Sequence, residues 1–246
     1  DLDVRVRHEV TAIDPGARTV TVRDLGAGAE FTIQYDALVL SPGAAPIVPA
    51  IPGAERGLVL RDVADLERMV EAMGAAEDVV VVGAGFIGLE AAENLAEAGR
   101  RVTVVELAGQ VLTPLDPEMA RPLERELRRH RVDLVLGQSV TAIGADSVTL
   151  SDGAELPADM VVLAIGVRPD AGLATAAGLA VGPRGGIATD DRQRTSDPHI
   201  WAVGDAVEKT DSIDGGPTLT PLANIANRQG RRAADDIAGL TAAGLP

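Results

Sequence analysis

Residues 1–40 alternate apolar and polar positions in short runs such as "VTV" and "FTI", separated by "DPGA" and "LGAGA". That period of two, punctuated by turn residues, predicts β-hairpins. An unbroken apolar run, "ALVL" at Ala37–Leu40, then predicts a short buried strand. "SPGAAPIVPAIPG" carries too much Pro and Gly for a regular element and reads as a connection. The period changes to that of a helix in "DVADLERMVEAMG", where Leu66, Met69, Val70 and Met73 share one face and Gly74 suits the C-terminal cap. Val79–Val82 is again apolar and β-branched throughout, as a strand covered on both faces requires. Ile87, Ala91, Leu95 and Ala98 follow at helical spacing, Gly99 ends that helix, and "RVTVVE" makes a second strand ending at Glu106. Near the end, Ile200–Val203 predicts a short strand running into Gly204 and Asp205. "PLANIANRQGRRAADDIAG" then reads as a loop and a helix, with Ala233, Ala234, Ile237 and Ala238 on or near one face.

The pattern repeats itself. "VTAIDPGARTVTV" (Val10–Val22) is echoed by "VTAIGADSVTL" (Val140–Leu150), and each copy is followed by an apolar strand and a Gly- and Pro-containing turn, "YDALVLSPGAAP" and "ADMVVLAIGVRP". A shared order of elements, beyond four matching residues, points to duplication of one structural plan.

The turn at the end of Val79–Val82 carries the most specific chemistry. Gly83, Gly85 and Gly88 spell G-x-G-x-x-G between a strand and a helix, and Glu106 follows about twenty residues later, the spacing of a dinucleotide-binding fingerprint. Gly83 permits the tight turn, Gly85 lets the backbone approach a pyrophosphate, and Gly88 allows close helix packing. The helix N-terminus, at Phe86 and Ile87, offers free N–H groups and a positive dipole to phosphates. Glu106 can accept hydrogen bonds from the adenine ribose hydroxyls. "ELAGQVLTPLDPEMA" holds no basic residue before Arg121, and Arg100 and Arg101 lie at the wrong end of the strand to hold a 2′-phosphate. NAD is therefore favoured over NADP.

If the first copy of the repeat follows the plan of the second, its glycine turn should precede Val10 by about sixty residues, the spacing from Gly83 to Val140. The sequence is then expected to begin inside a dinucleotide-binding domain, downstream of its first strand, turn and helix. Its start at Asp1, without Met, fits a trimmed sequence.

Composition narrows the partners. The formal net charge is −15, with Lys209 the only lysine, and aromatic residues make up 2%. A nucleic acid partner needs clustered Lys and Arg and stacking rings, so none is expected. No apolar run approaches the roughly 20 residues of a membrane helix. Nothing at the N-terminus resembles a signal peptide, so a cytoplasmic location is expected. There is no cysteine, hence no disulfide, thiolate metal site or thiol nucleophile in these residues. His8, His130 and His199 are scattered, and no metal site is expected.

Taken together, "HEVTAID", "YDALVLSPGAAPIVPAIPG", "VVVVGAGFIGLEAAENLAEAG", "AIGVRPD", "WAVGDA" and "PLANIANRQGR" make the chain resemble the two-dinucleotide pyridine nucleotide–disulfide oxidoreductases. It is most similar to the branch of coenzyme A-disulfide reductases, NADH oxidases and NADH peroxidases. The resemblance implies an α/β fold of two related Rossmann-like domains with three-stranded meander insertions, the first domain incomplete. The FAD-binding domain would comprise residues 1–60 and 182–246, and the NAD-binding domain residues 61–181. FAD and NAD are the implied cofactors. Val10 would meet the FAD adenine through its backbone. Ser41, Pro42, Gly43, Ala44 and Arg61 would line the FAD, Asp205 its ribityl chain, and Leu222, Ala223 and Asn224 its isoalloxazine ring. Gly83 to Gly88 and Glu106 would bind NADH, with Glu90 near the nicotinamide and Gly166 at a neighbouring strand end. The family's N-terminal FAD fingerprint, redox cysteine and C-terminal interface domain have no counterpart in these residues. The intact parent is expected to be a homodimer that passes hydride from NADH to flavin and on to a disulfide, oxygen or peroxide. A nicotinamide-binding module without turnover is the other reading, favoured by the lack of cysteine.

Overall fold

The computed structural model describes residues 2–240. The chain divides into two compact units, Asp1–Ala45 with Arg168–Pro246, and Pro46–Val167. The alternating N-terminal run folds as β1 (His8–Asp14), β2 (Thr19–Asp24) and β3 (Glu30–Gln34), an antiparallel meander. Ile13, Val20 and Val22 point inward, as the period of two dictates. The register slips between Val10 and Ala12, leaving Thr11 as a bulge whose hydroxyl donates to the Thr21 carbonyl at 3.5 Å. The buried run supplies β4 (Leu38–Leu40), and the chain passes into the second unit within β5 (Ala44–Pro46).

The second unit opens with α1 (Val63–Met73), whose first turn is closed by Asp62 and Asp65 accepting each other's backbone N–H. The Asp65 carboxylate also accepts the Arg61 N–H and is drawn inside. This turns Met69, Ala72 and Met73 toward the core, so that of the apolar positions sharing the helix face Leu66 and Val70 stay exposed. Then come β6 (Asp78–Val82), α2 (Phe86–Glu97), β7 (Arg101–Glu106), α3 (Pro117–Arg129) and β8 (Val132–Leu136). A second meander follows, β9 (Val140–Ile143), β10 (Ser147–Leu150) and β11 (Glu155–Pro157), and then β12 (Met160–Leu163).

The parallel sheet has the order β12-β6-β7-β8, with Leu58 bridged to the outer side of β12. Alternation along each strand builds two cores. Val79, Val81, Val102, Val104 and Val162 face Leu89, Ala92 and Leu95 of α2 and Ala120 and Leu127 of α3. Val80, Val82, Val105 and Val161 face Val140, Ile143, Val148 and Leu150 of the meander. The unit is thus three layers: helices, parallel sheet, meander. The second meander repeats the first in detail. Its register slips between Val140 and Ala142, and the bulged Thr141 hydroxyl donates to the Thr149 carbonyl at 3.1 Å. The echo in the sequence is therefore an echo of one bulged hairpin.

The chain returns within β13 (Val167–Pro169) and adds α4 (Gly172–Ala176), β14 (Ile187–Ala188), β15 (Ile200–Ala202), β16 (Val207–Thr210), β17 (Pro217–Leu219) and α5 (Ala223–Ile237) to the first unit. The change-overs lie away from the expected passages near residues 60 and 181: Ile51, Leu58 and Val59 pack into the cores of the second unit, and Ala171, Ala174 and Leu179 into the core of the first. β15 lies parallel to β4, with Ile200 and Ala202 on the meander side and Trp201 and Val203 against Ala233 of α5. α5 begins ten residues before Ala233 and buries Gln229 and Ala233, while Ala234, Ile237 and Ala238 face outward. The Trp201 indole N–H and the Arg194 guanidinium both donate to Asp236 on α5. Among the described residues no helix is long and apolar enough to cross a membrane, and no cluster of His, Asp or Glu could hold a metal.

Candidate functional site

Each unit gathers its candidate residues where parallel strands end at their carboxyl edge, the usual ligand side of an open α/β sheet. In Pro46–Val167 the turn after β6 is forced by packing. Gly83 has φ +104, and a Cβ built there would stand 2.4 Å from the Ala164 carbonyl oxygen beyond β12. A Cβ at Gly88 would stand 2.0 Å from the Gly83 oxygen, so only glycine lets α2 start so close to the turn. Gly85 differs: a Cβ there meets nothing within 4 Å. Packing leaves space at Gly85 and denies it at Gly83 and Gly88.

Gly85 caps α2 with no side-chain hydrogen bond to the first-turn amides, and Phe86 and Ile87 are exposed. The first turn therefore presents N–H groups and positive dipole toward the space beside Gly85. Glu106, at the end of β7, accepts the Ala84 N–H through Oε2 at 2.7 Å and the Ala108 N–H through Oε1 at 2.8 Å. The Ala84 carbonyl in turn accepts the Leu112 N–H at 3.0 Å. The glycine turn is thus braced from both sides, and each Glu106 oxygen keeps a lone pair for a further donor. A dinucleotide with its pyrophosphate over Gly85 and a ribose diol at Glu106 fits this cradle.

Arg101 is held by Asp78 and Glu77, and Arg100 donates to the Ala76 carbonyl, all at the amino edge of the sheet. Along β7 Arg101 and Glu106 are five residues apart, about 17 Å. Neither arginine can reach a 2′-phosphate at Glu106. Gly166, with φ +110, follows β12 and accepts the Ile47 N–H at 3.0 Å. Glu90 lies one turn into α2, exposed on the side that carries Phe86 and Glu93.

In the other unit, Val203 N–H donates to the Leu40 carbonyl, so Ser41 and Gly204 leave adjacent strand ends. Gly43 has φ +77 and its carbonyl accepts the Asp170 N–H. Ser41 and Pro42 are exposed and Ala44 is buried. Gly204, with φ +82, opens a short 3-10 turn that contains Asp205 and packs on α5. The Gly204 N–H donates to Gln229 Oε1 at 2.7 Å. Leu222, Ala223 and Asn224 form the exposed start of α5, again without a side-chain cap from Leu222, and Asn224 Oδ1 accepts the Ile225 N–H. A nucleotide fits this edge as well: two glycines at positive φ, a carboxylate and a helix start leave backbone close to the ligand. Val10 stands opposite Val22 in the meander, and Arg61 belongs to the other unit, just before α1.

Sequence reasoning missed Gln229, Ala84 and Ala108. Gln229 lies one helical turn before the buried Ala233, but nothing in the sequence names Gly204 as its partner. The two alanines act through backbone amides and leave no signal in side-chain type.

The model of the family described as pyridine nucleotide-disulphide oxidoreductase matches residues 1–230. An NADH oxidase of Methanocaldococcus jannaschii is 38% identical over 99% of this chain and 56% of its own length. The crystal structure of reduced Bacillus anthracis CoADR-RHD superposes with a TM-score of 0.94 at 44% identity, covering 98% of this chain and 44% of that one. A water-forming NADH oxidase from Lactobacillus brevis, solved with NADH, gives 0.88 at 34% identity over 94% and 52%. The chain spans about half the length of these relatives. Fold, glycine turn and similarity agree, and the chain belongs to the pyridine nucleotide-disulphide oxidoreductase family.

Proposed function

We propose that Pro46–Val167 is the NADH-binding part of an FAD-dependent oxidoreductase, and that the other unit contributes the flavin side. The observation that carries the proposal is the braced turn: Glu106 bound to Ala84 N–H, beside a Gly85 with open space above it. When bound, the two cofactors supply the redox chemistry, NADH giving a hydride that the flavin accepts and passes to a disulfide, oxygen or peroxide. The residues of the chain bind and orient. The first turn of α2 holds the pyrophosphate, and Glu106 takes the ribose hydroxyls and repels a 2′-phosphate. Glu90 and Gly166 flank the nicotinamide half. Ser41 to Ala44, Asp205 and the start of α5 at Leu222 to Asn224 fix the flavin. No thiol among these residues can take part.

Calorimetric titration of the 246-residue chain with NADH and NADPH tests the nicotinamide assignment. Saturable binding of NADH, tighter than NADPH, is expected. A folded chain that takes up neither nucleotide, or prefers NADPH, overturns it.

A further inference from the structure

On the outer side of the helical layer, α2 and α3 leave a groove of about 440 Å3 between them. Leu89, Leu123, Leu127 and Val132 make its floor, and Phe86, 65% exposed, stands at one end. One rim is acidic. Glu90, Glu93 and Glu97 follow at i, i+3 and i+7 on α2, all exposed, and Glu126 faces them from α3. Among the described residues no cation lies within ion-pair distance of the three α2 glutamates, whereas Glu126 is paired with Arg129 and His130.

This placement works against α2 itself. Glu93 and Glu97 repel each other at i,i+4, and they approach the negative end of the helix dipole. No cation among the described residues is placed to offset either cost. A cation brought in from outside offsets both, and the net charge of −15 attracts one over long range. The row is also long: from Phe86 to Glu97 is about 16 Å of helix rise, three turns. An apolar floor flanked along its length by carboxylates is the complement of an amphipathic helix with one basic edge.

We infer that the α2–α3 groove docks a basic amphipathic helix of a partner protein, with apolar anchors at i, i+4 and i+7 on Leu89, Leu123 and Leu127 and Lys or Arg against Glu93 and Glu97. The groove shares Phe86 and Glu90 with the proposed nucleotide site, whereas Glu93 and Glu97, the positions changed in the test, lie outside it. The end of the groove at Phe86 and Glu90 puts the partner beside the expected nicotinamide end of α2.

The probe is a labelled 14-residue peptide with Leu at helical spacing and Lys elsewhere, followed by fluorescence anisotropy on the 246-residue chain at low and physiological salt. Three comparisons decide. A peptide of the same composition with scrambled order should bind at least tenfold more weakly. Glu93→Lys/Glu97→Lys should weaken the ordered peptide at least tenfold, and Glu93→Gln/Glu97→Gln, a milder change on exposed positions, should weaken it severalfold. Circular dichroism and retained NADH affinity show that both variants fold. Equal binding of ordered and scrambled peptides, or no loss in either variant, overturns the inference. So does full displacement by millimolar hexylamine, which would make the groove a small-cation site. So does a dimer of the chain in sedimentation that dissociates as peptide binds, which would make the occupant a second copy.

Discussion

The Glu106 carboxylate accepts the Ala84 N–H at 2.7 Å, tying the end of β7 to the glycine turn after β6. On the proposed assignment Glu106 would act on a nucleotide in two ways: by shaping the turn offered to the phosphates, and by placing negative charge at the position of a 2′-phosphate. Like charges about 4 Å apart at an effective dielectric of 20 repel by roughly 4 kcal/mol per unit pair, and a quarter of that is already about fivefold in affinity. NADH should outbind NADPH by at least that factor. Glu106→Ala should weaken NADH, because Ala84 loses its acceptor, while leaving NADPH little changed, so that the preference collapses. Titration calorimetry of both nucleotides on both proteins measures this, and an unchanged preference in the variant would remove Glu106 from the site.

Gly85 and Gly88 should fail differently. Ala at Gly85 meets no atom within 4 Å, so Gly85→Ala should melt within a few degrees of the parent. On the proposed assignment it should bind NADH at least tenfold more weakly, because the methyl would occupy the space assigned to the pyrophosphate. Val at Gly88 drives into the Gly83 carbonyl, and overpacking of this kind costs about 1–3 kcal/mol. That corresponds to a loss of about 2–12 °C in Tm for a chain of this size. Thermal melts beside NADH titrations separate the two. A Gly85→Ala protein with full affinity would show that phosphate does not approach there.

Much of this was legible from periodicity. The strand–turn–helix of Val79–Glu97 could be read because each local choice agrees with the fold. The paired meanders could be read because the bulged "VTA" was written twice. α3 went unread: Pro114, Pro117 and Pro122 interrupt the pattern, although Pro117 opens the helix and Pro122 sits inside it. The helix of α1 could be read from its spacing, but not that Asp65, polar by type, turns inward to cap it and leaves Leu66 and Val70 exposed. The braces on the sites were invisible for a different reason. Ala84 and Ala108 act through amides that every residue has, and Gln229 reveals its role only when α5 lies against Gly204.

That contact yields a third prediction. Gln229 is buried, and its Oε1 accepts the Gly204 N–H, which fixes the turn bearing Asp205. Gln229→Leu keeps the volume and removes the acceptor, leaving a half-buried N–H unsatisfied at a cost of about 1 kcal/mol, the low end of the range for a buried group. The Gly204 amide should then exchange with deuterium at least tenfold faster, while amides of β6 and β7 keep the parent's rates. If Gly204 exchanges at the parent's rate, the turn is held by something other than Gln229.

The last prediction concerns pH. Asp236 on α5 accepts the Arg194 guanidinium and the Trp201 indole N–H, the latter at 2.9 Å. The bond from Arg194, chiefly, holds the Asp236 carboxyl below its usual range, against the opposing effect of burial. A folded value below the unfolded one, which is near 3.9 for an aspartate, means that the tie contributes stability above about pH 4. The contribution is lost as the pH falls through the lower folded value. Asp236→Asn should therefore destabilise the first unit by about 1.5–3 kcal/mol at pH 7, the range for a hydrogen bond to a charged group. The gap between parent and variant should narrow steadily below about pH 4. Denaturant unfolding followed by Trp201 fluorescence reports on this unit, since Trp201 is the only tryptophan. A gap that stays constant from pH 7 to pH 3 would mean that Asp236 acts through packing rather than through its charge.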